Sequence, residues 1–150
     1  MREEINQALK EAIKSKDSRR TSTLRLINAA IKDRDIAARG ADKLDGVSDE
    51  EILEILAKMV KQRIESAQTY KDAGREELAT QELEEIDIIQ GFMPRQLDDD
   101  EAREAVISVI ASLEASGLKD MGKVMGVLKT QYTGQMDFGK ASGLVKELLA

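Results

Sequence analysis

The chain has 150 residues, a formal net charge of −6, and no cysteine, histidine or tryptophan. Without cysteine there is no disulfide, thiolate nucleophile or cysteine–zinc site; without histidine there is no Ser-His-Asp triad and no imidazole metal ligand. No apolar window of about 18 residues occurs, and residues 1–20 lack an apolar core between charged flanks, so the expectation is a cytoplasmic protein that neither spans a membrane nor is secreted.

A single proline and abundant Ala, Leu, Ile, Glu and Lys predict an all-α protein. Ile5, Leu9, Ala12 and Ile13 are spaced for a short first helix, and Ser15-Lys16-Asp17 breaks it. Leu24, Ile27 and Ile31 mark a second helix to about Arg39, stopped by Gly40. Residues 40–47 are polar, hold two glycines and read as a mobile loop. Ser48 and Glu51 form a capping box for a third helix, whose stripe Leu53, Leu56, Val60, Ile64 and Ala67 runs to about Ala73. At 1.5 Å per residue that helix is roughly 38 Å long, which suits a helical hairpin. Gly74 closes the hairpin, and Leu78, Leu83, Ile86 and Ile89 line the returning fourth helix.

Gly91-Phe92-Met93-Pro94 is the expected domain boundary, because proline lacks a backbone donor and biases the preceding residue away from helix. The expected units are residues 1–93, an N-terminal helical hairpin domain, and residues 94–150, a small three-helix domain. Asp98 with Glu101 is a second capping box, opening a fifth helix with Ala102, Val106, Val109, Ile110 and Leu113 inward and its end at Ser116-Gly117. Met121, Val124, Met125, Leu128 and Tyr132 line a sixth helix; Ala141, Leu144, Val145 and Leu148 line a seventh. No internal repeat and no low-complexity tract is expected.

Charge is patterned along the chain. Residues 1–40 carry ten Lys/Arg against six Asp/Glu, residues 75–104 three against eleven, and residues 118–150 five against three. Net acidity argues against indiscriminate nucleic-acid binding, whereas basic ends around an acidic middle suit oriented docking on RNA.

Candidate chemistry is sparse. Gly134, Gly139 and Lys140 give G-x-x-x-x-G-K, the start of a phosphate-binding P-loop. The residue after the lysine is Ala141, without the hydroxyl that ligates magnesium, and a helical stripe rather than a strand precedes Gly134. The stretch therefore reads as a turn, with Asp137 capping the last helix. Gly122 and Gly126 share one face of the sixth helix; close packing of a neighbouring helix is the favoured explanation. The alternative is a bare backbone approached by a nucleic-acid phosphate or sugar, beside Lys119, Lys123 and Lys129. Lys14, Lys16, Arg19, Arg20 and Arg25, with Thr21, Ser22 and Thr23, suit phosphate contacts or a solvated helix start. Aromatic platforms for stacking bases are few: Tyr70, Phe92, Tyr132 and Phe138. Glu82, Glu84, Glu85 and Asp87 read as a solvated acidic face, with no pocket to raise a pKa.

The order of several segments resembles a known family. Lys16-Asp17, Arg20, Ser22 through Ile27, Ala29 through Lys32, Met59 through Arg63, Tyr70, Ala73-Gly74-Arg75, Glu82, Glu85, Ile86 and Phe92-Met93-Pro94 resemble the GatB/YqeY family, specifically its small stand-alone YqeY-like members. Lys119 through Gly126, Gly134, Asp137 and Val145-Lys146 complete the likeness. The resemblance implies an α-helical fold of two parts, similar to the tail of the B subunit of the glutamine-dependent Asp/Glu-tRNA amidotransferase. In that enzyme the tail grips the tRNA body, while ATP activation and glutamine hydrolysis belong elsewhere. What it implies for this chain is binding of tRNA or structured RNA, with no catalytic residue, cofactor or metal of its own. Lys119, Gly122, Lys123, Gly126, Lys129, Gly134, Gly139 and Lys140, with Arg19, Arg20 and Arg25, are the expected contacts. Other readings are a protein partner, in amidotransferase or synthetase complexes, and a residual carbon–nitrogen ligase using glutamine as amido donor.

Overall fold

The computed structural model describes residues 1–40 and 46–150, and every regular element among them is a helix. In order these are α1 (Arg2–Lys14), α2 (Ser18–Gly40), α3 (Asp49–Asp72), α4 (Glu76–Gln90), α5 (Asp99–Leu113), α6 (Met121–Gln131) and α7 (Phe138–Leu149), with a 3₁₀ turn at Leu118–Asp120. The loop expected at 40–47 falls mostly on residues outside those described. The chain divides into two compact units, Met1–Met93 and Pro94–Ala150.

In the first unit α1 pairs with α2, α3 pairs with α4, and α2 also lies on α4. Ile5, Leu24, Ile27, Ile52, Leu56 and Ile89 are fully buried between them. Each such side chain contributes about 1.5–3 kcal/mol by leaving water, which is what holds helices of this composition together. Thr23 is buried with them and satisfies its hydroxyl on the carbonyl of Arg19 at 2.9 Å.

Helix ends follow local chemistry. The Ser48 hydroxyl accepts the N–H of Glu51 and caps α3. At the far end Gly74 turns left-handed, φ +73°, and the N–H of Arg75 reaches the carbonyl of Tyr70 at 2.8 Å, a Schellman closure of the hairpin. Helix α1 ends the same way, with the N–H of Asp17 on the carbonyl of Ala12, but the left-handed residue there is Lys16 at φ +59°.

The expected stripe on α3 is rotated. Ile52, Ile55, Leu56, Met59 and Val60 are buried, whereas Leu53 is half-buried and Ile64 is 54% exposed. Helix α3 packs on α4 and is also met by α2, whose Arg34 reaches Glu51 and Glu54 in its first turns, and there its buried face is wide. From residue 61 to residue 84 only Ala67 and Ala79 are buried. Likewise Ile13, expected inward, is 50% exposed, and Ala8 takes the place in the core.

The second unit is a three-helix cluster of α5, α6 and α7 around Val106, Val124, Leu128 and Val145. Asp98 and Glu101 form the complete capping box, each side chain taking the other's backbone N–H. Helix α5 ends at Leu113, short of the expected Ser116-Gly117, because Glu114 adopts the left-handed conformation at φ +52°. Leu113, expected inward, is consequently 39% exposed in that last turn. Residues before α5 are stitched to the α6–α7 connection by the N–H of Leu97 on the carbonyl of Gln135 at 2.8 Å.

Candidate nucleic-acid interface

Helix α6 buries Val124 and Leu128 and leaves Gly122, Lys123, Gly126 and Lys129 exposed. At 100° per residue these four positions fall within an arc of about 120°. A methyl group placed on Gly122 or Gly126 would meet nothing within 4 Å. The favoured explanation from sequence, close packing of a helix against the two glycines, is therefore overturned: they face open space. At the interior position Gly126 this costs about 1 kcal/mol of helix propensity relative to alanine, and no contact offsets it.

The lysines are free. Lys119, Lys123, Lys129, Lys140 and Lys146 are all exposed, and none has an ion-pair partner among the described residues. The three carboxylates of residues 118–150 are otherwise engaged. Asp120 accepts the N–H of Ser116 at 3.0 Å, Asp137 caps α7 through the N–H of Gly139 at 2.8 Å, and Glu147 lies 3.9 Å from Arg103.

The P-loop-like stretch has a structural job. Gly134 is buried at φ +76°, closes the turn in which the N–H of Gln135 meets the carbonyl of Tyr132, and accepts a hydrogen bond from the Gln96 side chain. It offers no open backbone to a ligand. Ala141 is 2% exposed and packs in the core, where a magnesium-ligating hydroxyl could not serve a surface site. Gly139 and Lys140 are exposed on the first turn of α7.

The basic cluster on α2 is partly consumed within its own unit. Arg19 Nε lies 3.3 Å from Glu84 of α4, and the Arg20 guanidinium sits 5.9 Å above the Phe92 ring. Both therefore hold α2 against α4 and the segment after it. Arg25, Lys14 and Lys16 remain exposed. These residues belong to the first unit and the lysine–glycine face to the second.

The acidic face of α4 also departs from expectation. Glu85 is buried and receives Arg63 Nε at 3.0 Å, while Arg63 also donates to the carbonyl of Met59 at 3.1 Å. Burial, with the charge of Glu85 beside it, pushes the Glu82 carboxyl up from its ordinary value. The dense carboxylates are thus in part a buried ion pair that joins α3 to α4. Among the described residues no group of three or more His, Cys, Asp or Glu side chains could hold a metal ion.

Two residues were not among the contacts expected from sequence. Gly143 and Lys146 stand on α7 as Gly126 and Lys129 stand on α6, exposed, with open space at the glycine. Gly122-Lys123-Val124-Met125-Gly126-Val127-Leu128-Lys129 and Gly139-Lys140-Ala141-Ser142-Gly143-Leu144-Val145-Lys146 share Gly, Lys, Gly and Lys at the same places. The expectation of no internal repeat is corrected: the signal was G-K-x-x-G-x-x-K, recurring after 17 residues.

An all-α chain of two units, the second bearing a basic face with bare backbone, is the kind of protein the structure defines. The chain matches the model of the Yqey-like protein family over residues 2–149 and belongs to that family. It is similar to fungal proteins named Altered inheritance of mitochondria protein 41, mitochondrial. The Clavispora lusitaniae protein is 27% identical over 145 residues, 94% of this chain and 80% of that relative. That of Pyrenophora tritici-repentis is 28% identical over 129 residues, covering 85% and 68%. No helix among the described residues is long and apolar enough to cross a membrane.

Proposed function

We propose that this protein is a non-catalytic accessory protein that binds tRNA or another structured RNA through its second unit. The observation that carries the reading is the exposed face of α6 and the turn before it, where Lys119, Lys123 and Lys129 have no ion-pair partner among the described residues and Gly122 and Gly126 lie bare between them. Lysines supply the sequence-independent attraction to phosphates, and side-chain-free backbone lets a sugar–phosphate edge approach closely. Folded RNA is recognised largely in this way, by shape and by phosphate and 2′-hydroxyl contacts. The likeness to an amidotransferase tail supports the same ligand. A cytoplasmic location is part of this proposal; the word mitochondrial belongs to the fungal relatives' names.

Titration of labelled tRNA at several salt concentrations tests the proposal. Affinity should exceed that for a polyanion such as heparin, fall with salt, and drop when Lys123→Glu and Lys129→Glu are combined. Equal affinity for heparin, or indifference to the double substitution, would sink it. The isolated chain should show neither ATP hydrolysis nor glutamine turnover; either activity would favour a carbon–nitrogen ligase.

A second reading rests on the hairpin of α3 and α4, where Ile64, Leu78 and Leu83 are 54%, 37% and 41% exposed. An adaptor docking on a translation enzyme through these residues would co-purify with that protein after nuclease treatment.

A further inference from the structure

We infer that α6 and α7 are two copies of one backbone-binding helix, so that Gly143 and Lys146 bind a nucleic-acid backbone as Gly126 and Lys129 do. This rests on the RNA-binding reading and extends it to residues and a second face that the reading does not include.

The repeat goes deeper than four shared letters. Along Gly122–Lys129 the burial order is exposed, exposed, buried, half-buried, exposed, half-buried, buried, exposed, and along Gly139–Lys146 it is the same at every position. Val124 and Leu128 on α6 correspond to Ala141 and Val145 on α7, all four in the core of the unit. The two helices therefore enter the cluster in one register and turn the same Gly-Lys-Gly-Lys face outward.

Structure alone does not account for that face. Gly126 and Gly143 are interior helical positions, Gly122 lies in the first turn of α6, and none of the three has anything within 4 Å of an added methyl group. In a unit of this size Gly126 and Gly143 are each a burden of about 1 kcal/mol relative to alanine, large against a total stability of several kcal/mol. A packing role would show a neighbour, and a capping role would need a helix end, which neither Gly126 nor Gly143 occupies.

Charge selects the occupant. Residues 94–117 carry two Lys/Arg against six Asp/Glu, whereas residues 118–150 carry five against three, and those three carboxylates are already engaged. The unit is polarised, with its free positive charge on the two repeated helices. The exposed positions of α6 and α7 are Gly, Lys, Thr, Gln and Glu. They lack the bulky apolar residues by which an interfacial helix inserts into lipid, and the aromatic or aliphatic anchors of a protein hot spot. A sugar–phosphate backbone, contacted on two tracks by equivalent helices, fits both the charge and the bareness.

Matched substitutions in the full chain test this, with a labelled folded tRNA and an RNA duplex of about 20 base pairs as probes. Lys129→Ala and Lys146→Ala should weaken binding equally, about 5-fold each at 0.1 M salt, and each should lower the log–log salt slope by about one. Gly126→Leu and Gly143→Leu should weaken it as a matched pair, with helicity and melting temperature confirming that each variant is folded. Should a leucine variant fail to fold, the two alanine variants decide the matter alone. Loss on α6 with no change on α7 would overturn the inference and leave the proposed function standing. No change on either helix would overturn both. Binding to anionic vesicles but not to RNA, lost in the same variants, would transfer the face to a lipid surface and also overturn it.

Discussion

Arg2 grips Asp35 with two parallel hydrogen bonds, Nη1 to Oδ2 at 2.8 Å and Nη2 to Oδ1 at 3.0 Å, and the same carboxylate accepts the backbone N–H of Val47 at 2.9 Å. One side chain thus ties the start of α1, the far end of α2 and the approach to α3. The Arg2 guanidinium and the Val47 amide hold the Asp35 carboxyl well below the usual carboxylate range, at about 2. Replacing Asp35 by Ala should destabilise the first unit by roughly 1.5–3 kcal/mol, the range for hydrogen bonds to a charged group, read from the urea midpoint.

Acid should undo the same clasp. Because the folded-state pKa of Asp35 lies below the unfolded one, its contribution is complete above about pH 4 and is lost as the pH falls toward 2. Stability of the first unit should decline across that window, and Asp35→Asn should flatten the decline. An equally steep decline in Asp35→Asn would assign acid sensitivity to other groups.

Gly46 stands at φ +83°, and a methyl group there would lie 2.7 Å from Asp35 Oδ1. Gly46→Ala should therefore cost at least 1–2 kcal/mol, the left-handed penalty compounded by displacement of the clasp. Thermal melting compared with Gly40→Ala, where nothing lies within 4 Å, isolates the effect.

On α6 alanine should do the opposite. Gly122→Ala and Gly126→Ala place a methyl group in open space within a helix, and each should stabilise the second unit by about 0.5–1 kcal/mol. Destabilisation would mean that a neighbour does pack on these glycines.

Arg63 and Glu85 are only 14% and 11% exposed along their side chains. Removing one partner strands a buried charge, so Glu85→Ala should cost about 3 kcal/mol or more. Arg63→Met combined with Glu85→Leu should cost clearly less than the two single changes summed, which a double-mutant cycle measures.

What sequence made legible is local. The Asp98–Glu101 box, the Asp137 cap and the Gly74 hairpin closure involve residues within a few positions, and the helical periods of α6 and α7 named the core residues Val124, Leu128, Ala141 and Val145 but missed Leu149. The α3 stripe was misjudged because its buried width depends on which distant helices cover it, and periodicity along one helix does not encode coverage. Arg19 with Glu84 and Arg63 with Glu85 are cross-helix pairs for the same reason. Glycines four apart present one face in any sequence, but only the fold says whether that face meets a helix or open space. The Gly-Lys repeat was legible, yet its 17-residue spacing is shorter than the 20–50-residue periods that mark repeat architectures.

The distal hairpin, where Ala67 and Ala79 are the only buried side chains over some twenty residues, has a dynamic consequence. Two methyl groups bury too little apolar surface to bind the end of α3 to the start of α4 as firmly as the core holds their bases. Amide exchange should therefore quicken stepwise from Val60 toward Gly74 and slow again toward Ile86, so that the hairpin frays from its tip while its root stays closed.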